Sequence, residues 1–161
     1  MDAIQRDHIE KLYIEMCDKL MAYARSSLRN ESLAEEAVQE TFRIACQRPE
    51  QLCDSPNPQG WLVLTLRNTV RNMKHDQATA KKIMDRYLVA QYKERASSDD
   101  RTDLSILYKD VTKMEEFRLL SEMVIQGKSH KEMAETRGIT IGTCKKRVQR
   151  AKEILQKKFE K

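Results

Sequence analysis

The sequence predicts an all-α protein made of two small helical domains joined by a flexible linker. Three observations carry this reading. Only four Gly and three Pro occur in 161 residues, too few to build a series of hairpins. Apolar residues recur at spacings of three and four along most of the chain, whereas alternating strand patterns are hard to find. Between two such periodic stretches, Ala96-Ser-Ser-Asp-Asp-Arg-Thr-Asp103 is polar and has no apolar anchor, which marks a linker. A chain of this length accommodates one ordinary domain or two small ones.

The first helix is expected over Ala3 to Leu28, with Ile9, Leu12, Tyr13, Met16, Leu20, Tyr23 and Ala24 on one stripe and Asn30 as its end. Ser32-Leu-Ala-Glu35 reads as a capping box that starts a second helix, whose apolar face is Ala34, Ala37, Val38, Thr41, Phe42 and Ala45. Pro49 closes that helix, and Arg48 to Pro56 is expected to be a loop. Asn57 followed by Pro58 supplies an N-cap and a first helical position for a third helix through Trp61, Thr65, Thr69 and Met73. From about Asp76 to Glu94 the periodicity weakens, and Ile83, Met84, Tyr87 and Leu88 suggest a further helix of uncertain extent.

Beyond the linker, Met114, Phe117, Leu120 and Val124 mark an apolar helix stopped by Gly127. A second capping box, Ser129-His-Lys-Glu132, opens a short helix with Met133 and Ala134 inward, and Gly138 ends it in the left-handed conformation that glycine adopts without steric cost. Thr140 then caps a final helix from Ile141 to about Phe159.

Charge is distributed in blocks. Residues 1–66 carry seven Lys/Arg against eleven Asp/Glu, 67–95 eight against three, 96–126 four against seven, and 127–161 eleven against four. Two separate basic segments suggest two places where a polyanion is gripped, with solvated helix faces as the bland alternative. The longest apolar run, Trp61 to Leu66, is far short of a membrane span, and the N-terminus lacks the basic start and apolar stretch of a signal peptide, so the chain is expected in the cytoplasm. Cys17, Cys46, Cys53 and Cys144 form no C-x-x-C pair and are read as reduced, partly buried thiols, with redox sensitivity or metal ligation as alternatives. No Ser/His/Asp constellation, phosphate-cradling glycine loop or HExxH is present, which fits a chain with no enzyme activity, cofactor, metal or small-molecule substrate.

The short helix, the turn Arg137-Gly-Ile-Thr140 and the basic helix after it outline a helix-turn-helix, whose second helix enters the major groove N-terminus first. On that helix Cys144, Val148, Ala151, Leu155 and Phe159 form one apolar stripe, leaving Thr143, Lys145, Lys146, Arg147, Gln149 and Arg150 on the other faces. Those groups suit phosphates and base edges, and Gly142 lets the backbone approach closely beside the positive helix N-terminus. A basic amphipathic helix that binds a partner or a membrane surface is the alternative.

The segment Gly127-Lys-Ser-His-Lys-Glu-Met-Ala134, with Gly138-Ile-Thr-Ile-Gly-Thr-Cys-Lys-Lys-Arg147 and Arg150-Ala151, resembles region 4 of the extracytoplasmic-function sigma factors of bacterial RNA polymerase, where G-x-S-x-x-E-I-A is followed by G-I-S-x-G-T-V-K-S-R and R-A. Independently, Ala34-Glu-Glu-Ala-Val-Gln-Glu-Thr-Phe42 is similar to the A-E-D-L-V-Q-E-T-F of region 2, and Asn57-Pro-Gln-Gly-Trp-Leu62 with Arg67-Asn68 to N-P-x-A-W-L followed by R-N. The chain departs from the family in Asp110-Val-Thr-Lys-Met-Glu-Glu-Phe117, where Leu-Pro usually opens region 4. Cys144 also stands for a usual Val, and Lys146 for a usual Ser.

The resemblance implies a transcription initiation factor that lends promoter specificity to the polymerase core. It implies a region 2-like domain over 1–95 for core binding and for recognition and melting of the minus-ten element, a linker over 96–110, and a region 4-like helix-turn-helix domain over 111–161 for the minus-thirty-five element. It places Glu35, Glu36, Gln39 and Glu40 on an acidic exposed stripe that docks on the coiled-coil of the largest core subunit. It assigns Arg67, Asn68, Arg71, Asn72 and Lys74, with the loop from Arg48 to Asn57, to melting and to capture of an unstacked base. Trp61 either stacks on a base or, as its spacing suggests, belongs to the core. An anti-sigma factor is the further implied partner. The rival reading is a helix-turn-helix regulator with an N-terminal dimerisation or sensory domain, which leaves the second basic block without a role.

Overall fold

The computed structural model describes residues 1–97 and 109–160, and every regular element within them is helical. Helix α1 (Ala3–Leu28) begins with a capping box between Asp2 and Gln5 and buries Ile9, Leu12, Met16, Leu20 and Ala24. Tyr13 and Tyr23, expected on this stripe, are 49% and 40% exposed. They flank the stripe, where a ring can rest on apolar neighbours while its hydroxyl stays wet. Tyr13 does so edge-on against Phe42, with ring centroids 4.8 Å apart.

Arg29 takes a left-handed φ of 52°, which turns the chain sharply, and Asn30 is the first extended residue after it. Asn30 therefore caps α2 (Glu31–Gln47), accepting from the Leu33 N–H at 2.9 Å, and the expected cap at Ser32 is displaced two residues upstream. All six residues of the expected α2 face are buried. The expected loop from Arg48 contains α3 (Pro49–Cys53), because Pro49 occupies the first helical position, where its missing N–H is harmless, and Leu52 is fully buried.

Helix α4 (Pro58–Ala96) is capped by Asn57, whose Oδ1 accepts from the Gly60 N–H at 2.9 Å. A Cβ at Gly60 would lie 2.5 Å from Asn57 Nδ2, so any larger residue there makes the capping side chain shift. The apolar run that opens α4 permits two adjacent helical registers. Burial selects Leu62, Leu66 and Val70, while Trp61 and Met73 pack only partly against the core and Thr65 is half-buried. The weak periodicity after Asp76 is a continuation of α4, not a separate helix.

The chain forms two compact units, Met1–His75 and Asp76–Lys161. The first holds α1, α2, α3 and α4 as far as His75 around its own core. The second begins within α4, which contributes Ala80, Ile83, Met84 and Tyr87 to a core shared with Val111, Phe117, Leu120, Met133, Val148 and Leu155. Residues 76–95, assigned from the sequence to the first domain, thus supply part of the second unit's interior. A helical stretch over 109–112 precedes α5 (Glu115–Val124), α6 (His130–Arg137) and α7 (Ile141–Phe159). Tyr87 Oη lies 3.3 Å from Met114 Sδ, and Arg95 pairs with Asp110 at 3.0 Å. Of the expected linker, 98–108 lie outside the described residues.

Candidate nucleic-acid interface

In the second unit the helix-turn-helix is held by complementary devices at each joint. Ser129, 1% exposed, and Glu132 form the expected capping box, with bonds of 3.1 and 2.8 Å. Gly138 ends α6 at φ +62°, and Thr140 caps α7 by accepting from the Thr143 N–H at 3.1 Å. Arg137, at the end of α6, makes a two-pronged pair with Glu122 of α5 at 2.9 and 3.1 Å. Glu115 and Lys128 stand 3.6 and 3.7 Å from this pair. The Arg137 guanidinium, more than Lys128, holds the Glu122 carboxyl below its ordinary pKa. The end of α6, just before the turn into α7, is therefore tied to α5 by a carboxylate on one helix and a guanidinium on the next, a pairing that no single helix reveals.

Helix α7 buries Cys144, Val148, Ala151 and Leu155, as its stripe predicts, and leaves Phe159 partly covered. Gly142, Thr143, Lys145, Lys146, Arg147, Gln149 and Arg150 are all exposed. Gln149 donates to Glu153 at 3.1 Å. A Cβ at Gly142 would meet only Thr140 Oγ1, at 3.9 Å, so the fold itself does not demand glycine there. The result is a convex cationic ridge led by a helix N-terminus, a shape and charge that fit a DNA groove.

The first unit presents a different surface. Arg67, Asn68, Arg71, Asn72 and Lys74 are exposed on α4, and Arg71 donates to Asn68 Oδ1 at 3.2 Å. They are shared between two concavities. One, of about 480 Å³, lies between α4 and the α2–α3 corner, where Trp61, Asn68 and Asn72 face Arg43, Arg48 and Gln51. The other, of about 430 Å³, lies between α4 and α1, where Arg67, Arg71 and Lys74 face Tyr23 and Ser27. Leu64, 57% exposed, and Asn68 border both. Trp61 packs partly on the core and also lines the first concavity. Sequence reading found the α4 residues and the α3 segment but missed Tyr23, Ser27 and Arg43. They belong to other helices and carry no local spacing signal.

The residues expected to meet the core enzyme lie on α2, but they do not form the exposed acidic stripe that was expected. Glu36 is 6% exposed, Glu35 and Glu40 are half-buried, and only Gln39 is fully open. Glu40 is held in a two-pronged pair with Arg43, one bond measuring 2.7 Å. Helical periodicity reports which face meets the helix's own core, and it is silent about chain that covers the opposite face.

The cysteines are unpaired, with Cys144 buried and Cys46 exposed. Burial, aided by Asp54, Asp2 and Glu50, pushes the Cys53 thiol up, which disfavours its reactive thiolate. Among the described residues no group of three or more His, Cys, Asp or Glu is placed to hold a metal, and no helix is long and apolar enough to cross a membrane.

Residues 12–79 match the sigma-70 region 2 family, and residues 118–155 match sigma-70 region 4. A curated relative, RNA polymerase sigma factor SigZ of Bacillus subtilis (strain 168), is 24% identical over 157 residues, spanning 95% of this chain and 88% of the relative. No solved structure matches the chain. Two distinct regions of one family, in order, leave no room for the reading in which the N-terminal half is a dimerisation or sensory domain. The chain belongs to the sigma-70 family: it is a non-enzymatic transcription initiation factor whose regions 2 and 4 recognise the minus-ten and minus-thirty-five promoter elements and bind RNA polymerase core.

Proposed function

We propose that the two surfaces divide the promoter between them. Lys145, Lys146 and Thr143, in the first turn of α7, read base edges of the minus-thirty-five element, while Arg147, Gln149 and Arg150 set the register on phosphates and Gly142 allows close approach. Arg67, Asn68, Arg71, Asn72 and Lys74 hold the opened minus-ten strand, with one unstacked base in the concavity beside Trp61. In this division 1–95 carry the region 2 functions, 111–161 the region 4 functions, and 96–110 connect them. Gln39, with the half-buried Glu35 and Glu40 beside it on α2, meets the coiled-coil of the largest core subunit, while the buried Glu36 takes no direct part. An anti-sigma factor restrains the protein until it is needed, and it acts in the cytoplasm, where the polymerase is.

The observation that carries this reading is the concavity of about 480 Å³ bordered by Trp61, Asn68 and Asn72. Duplex DNA offers no single base to fill such a space, whereas a flipped base needs an enclosing wall and cations for its backbone. Arg48 stands at this wall beside the α4 amides, next to the Arg43–Glu40 pair. Replacing Asn68 and Arg71 together by Ala is expected to leave closed-complex binding largely in place and to reduce opening. Permanganate reactivity of promoter thymines reports opening, and wild-type reactivity in the double variant would remove the minus-ten strand from this face of α4.

A further inference from the structure

Two faces of this chain carry groups that the fold leaves unpaired. The first lies in the second unit, where the end of α7 approaches the second half of α4. A hollow of about 390 Å³ is lined there by the apolar side chains of Val89, Ala90 and Phe159. Val89 is 52% exposed, so an apolar surface stands open to water. Arg86 and Lys93 line the same hollow, about 10 Å apart along the helix, with Asp85 as its one carboxylate. Asp85 to Lys93 and Phe159 lie outside both segments that match the sigma-70 regions, so promoter and core binding do not account for them.

The second face is the outward side of α1. Ile14 is 76% exposed there, and Glu10 and Asp18 stand one turn before and one turn after it, about 12 Å from each other. Neither carboxylate forms an ion pair among the described residues, and neither do Arg86 and Lys93. A single exposed isoleucine is ordinary on a protein surface. Here, however, it is bracketed by two carboxylates, while the hollow is bracketed by two cations at nearly the same separation. Charge and apolar surface thus complement each other at matching positions. The wider charge blocks agree, since residues 1–66 carry an acidic excess and 67–95 a basic one.

We propose that this chain associates with a second copy of itself, α1 of one copy lying along α4 of the other with Ile14 in the hollow, Glu10 against Arg86 and Asp18 against Lys93. The parallel direction follows from Asp85. In it Lys11, which already pairs with Asp7, comes nearest that carboxylate, whereas the antiparallel direction would bring Asp18 to it. The two faces differ, so the contact closes when each copy's α1 enters the other's hollow and otherwise continues from copy to copy. So small a contact is populated only at high protein concentration, and salt weakens it. It does not depend on the promoter reading.

The test is sedimentation velocity of the full chain, in a series rising to sub-millimolar protein at low and at high salt, where association that salt reverses is expected. Glu10→Lys with Asp18→Lys should raise the dissociation constant about tenfold, and so should Arg86→Glu with Lys93→Glu. Circular dichroism should stay unchanged, because all four side chains are exposed. Mixing the two double variants should restore association, since each supplies the face that the other lacks. Glu10→Lys joined with Arg86→Glu in one chain should recover more affinity than Glu10→Lys joined with Lys93→Glu, and the opposite order would overturn the parallel register. A chain that stays monomeric throughout the series leaves the hollow to a different protein and overturns the proposal. Association that neither double variant weakens overturns it by placing the interface elsewhere. Double variants that each fail and also stay apart when mixed overturn it as well, because the two faces then do not meet between copies.

Discussion

Helix α7 and the first half of α4 both present exposed cations, yet they do so with opposite shapes. On α7 the buried residues Cys144, Val148, Ala151 and Leu155 lie on one side, and every candidate contact stands out from the others. On α4 the cations border one hollow whose far wall is α1, and Asn68 and Asn72 border a second whose far walls belong to α2 and α3. A duplex keeps its bases stacked and shows only their edges, so a single protruding helix can read it. An opened strand exposes whole base faces, and holding these requires walls on more than one side. The two roles proposed for the same kind of charge thus differ in what surrounds it.

Because the two surfaces rest on separate cores, damage to one core should silence one surface. Phe117 is fully buried beneath the helix-turn-helix, and Phe117→Ala should destabilise that unit by about 3–5 kcal/mol. Binding to a minus-thirty-five duplex should be lost, while the holoenzyme's affinity for a single-stranded minus-ten oligonucleotide persists. Parallel loss of both affinities would mean that the surfaces depend on a common scaffold.

Within α7 the expected effects are smaller and differ in kind. Lys146→Ala should shift preference among minus-thirty-five sequences by about 1–3 kcal/mol. Arg150→Ala, one turn later, should weaken all sequences alike and lower the salt slope by about one unit. Affinities across a small promoter panel at several salt concentrations distinguish the two. Equal, sequence-independent losses would reduce α7 to a backbone grip.

The smallest effect concerns the joint between α5 and α6. Arg137 lowers the folded-state pKa of Glu122 below its ordinary value of 4.5, so the pair stabilises the fold above that value and the contribution disappears as pH falls through the lowered pKa. Glu122→Gln should cost about 1 kcal/mol at neutral pH and progressively less on acidification below 4.5. Thermal melts of both proteins across this range test the sign. A gap that stays constant into acid would show that the amide's loss is one of packing and not of charge.

What the sequence made legible follows from how local each feature is. The Ser129–Glu132 box, the Gly138 stop, the Thr140 cap and the α7 stripe are each specified within four or so residues, and each is found where expected. The expected face of α4 holds only at Thr69, because Trp61 to Leu66 is apolar at every position but Thr65, and the packing of Leu62, Leu66 and Val70 rotates the buried face by one residue. The cap of α2 moved because it depends on the left-handed turn at Arg29, a conformation that arginine does not advertise. For the candidate sites the same rule holds. The α7 contacts could be named from one helix, whereas Tyr23, Ser27 and Arg43 join the α4 residues only through tertiary structure. The burial of Glu36 likewise has no trace in the periodicity of α2.

Cys144 occupies a central place on the inner face of α7 and has no exposed surface, whereas Cys46 on α2 is open to solvent. An alkylating reagent meets the second thiol at once and the first only when its helix lifts away, so the pair forms a chemical clock with its own internal standard. The ratio of the two labelling rates measures how often the recognition helix leaves its bed, in the manner of amide hydrogen exchange. Promoter DNA or the polymerase, by holding α7 down, would slow one hand of that clock and leave the other running.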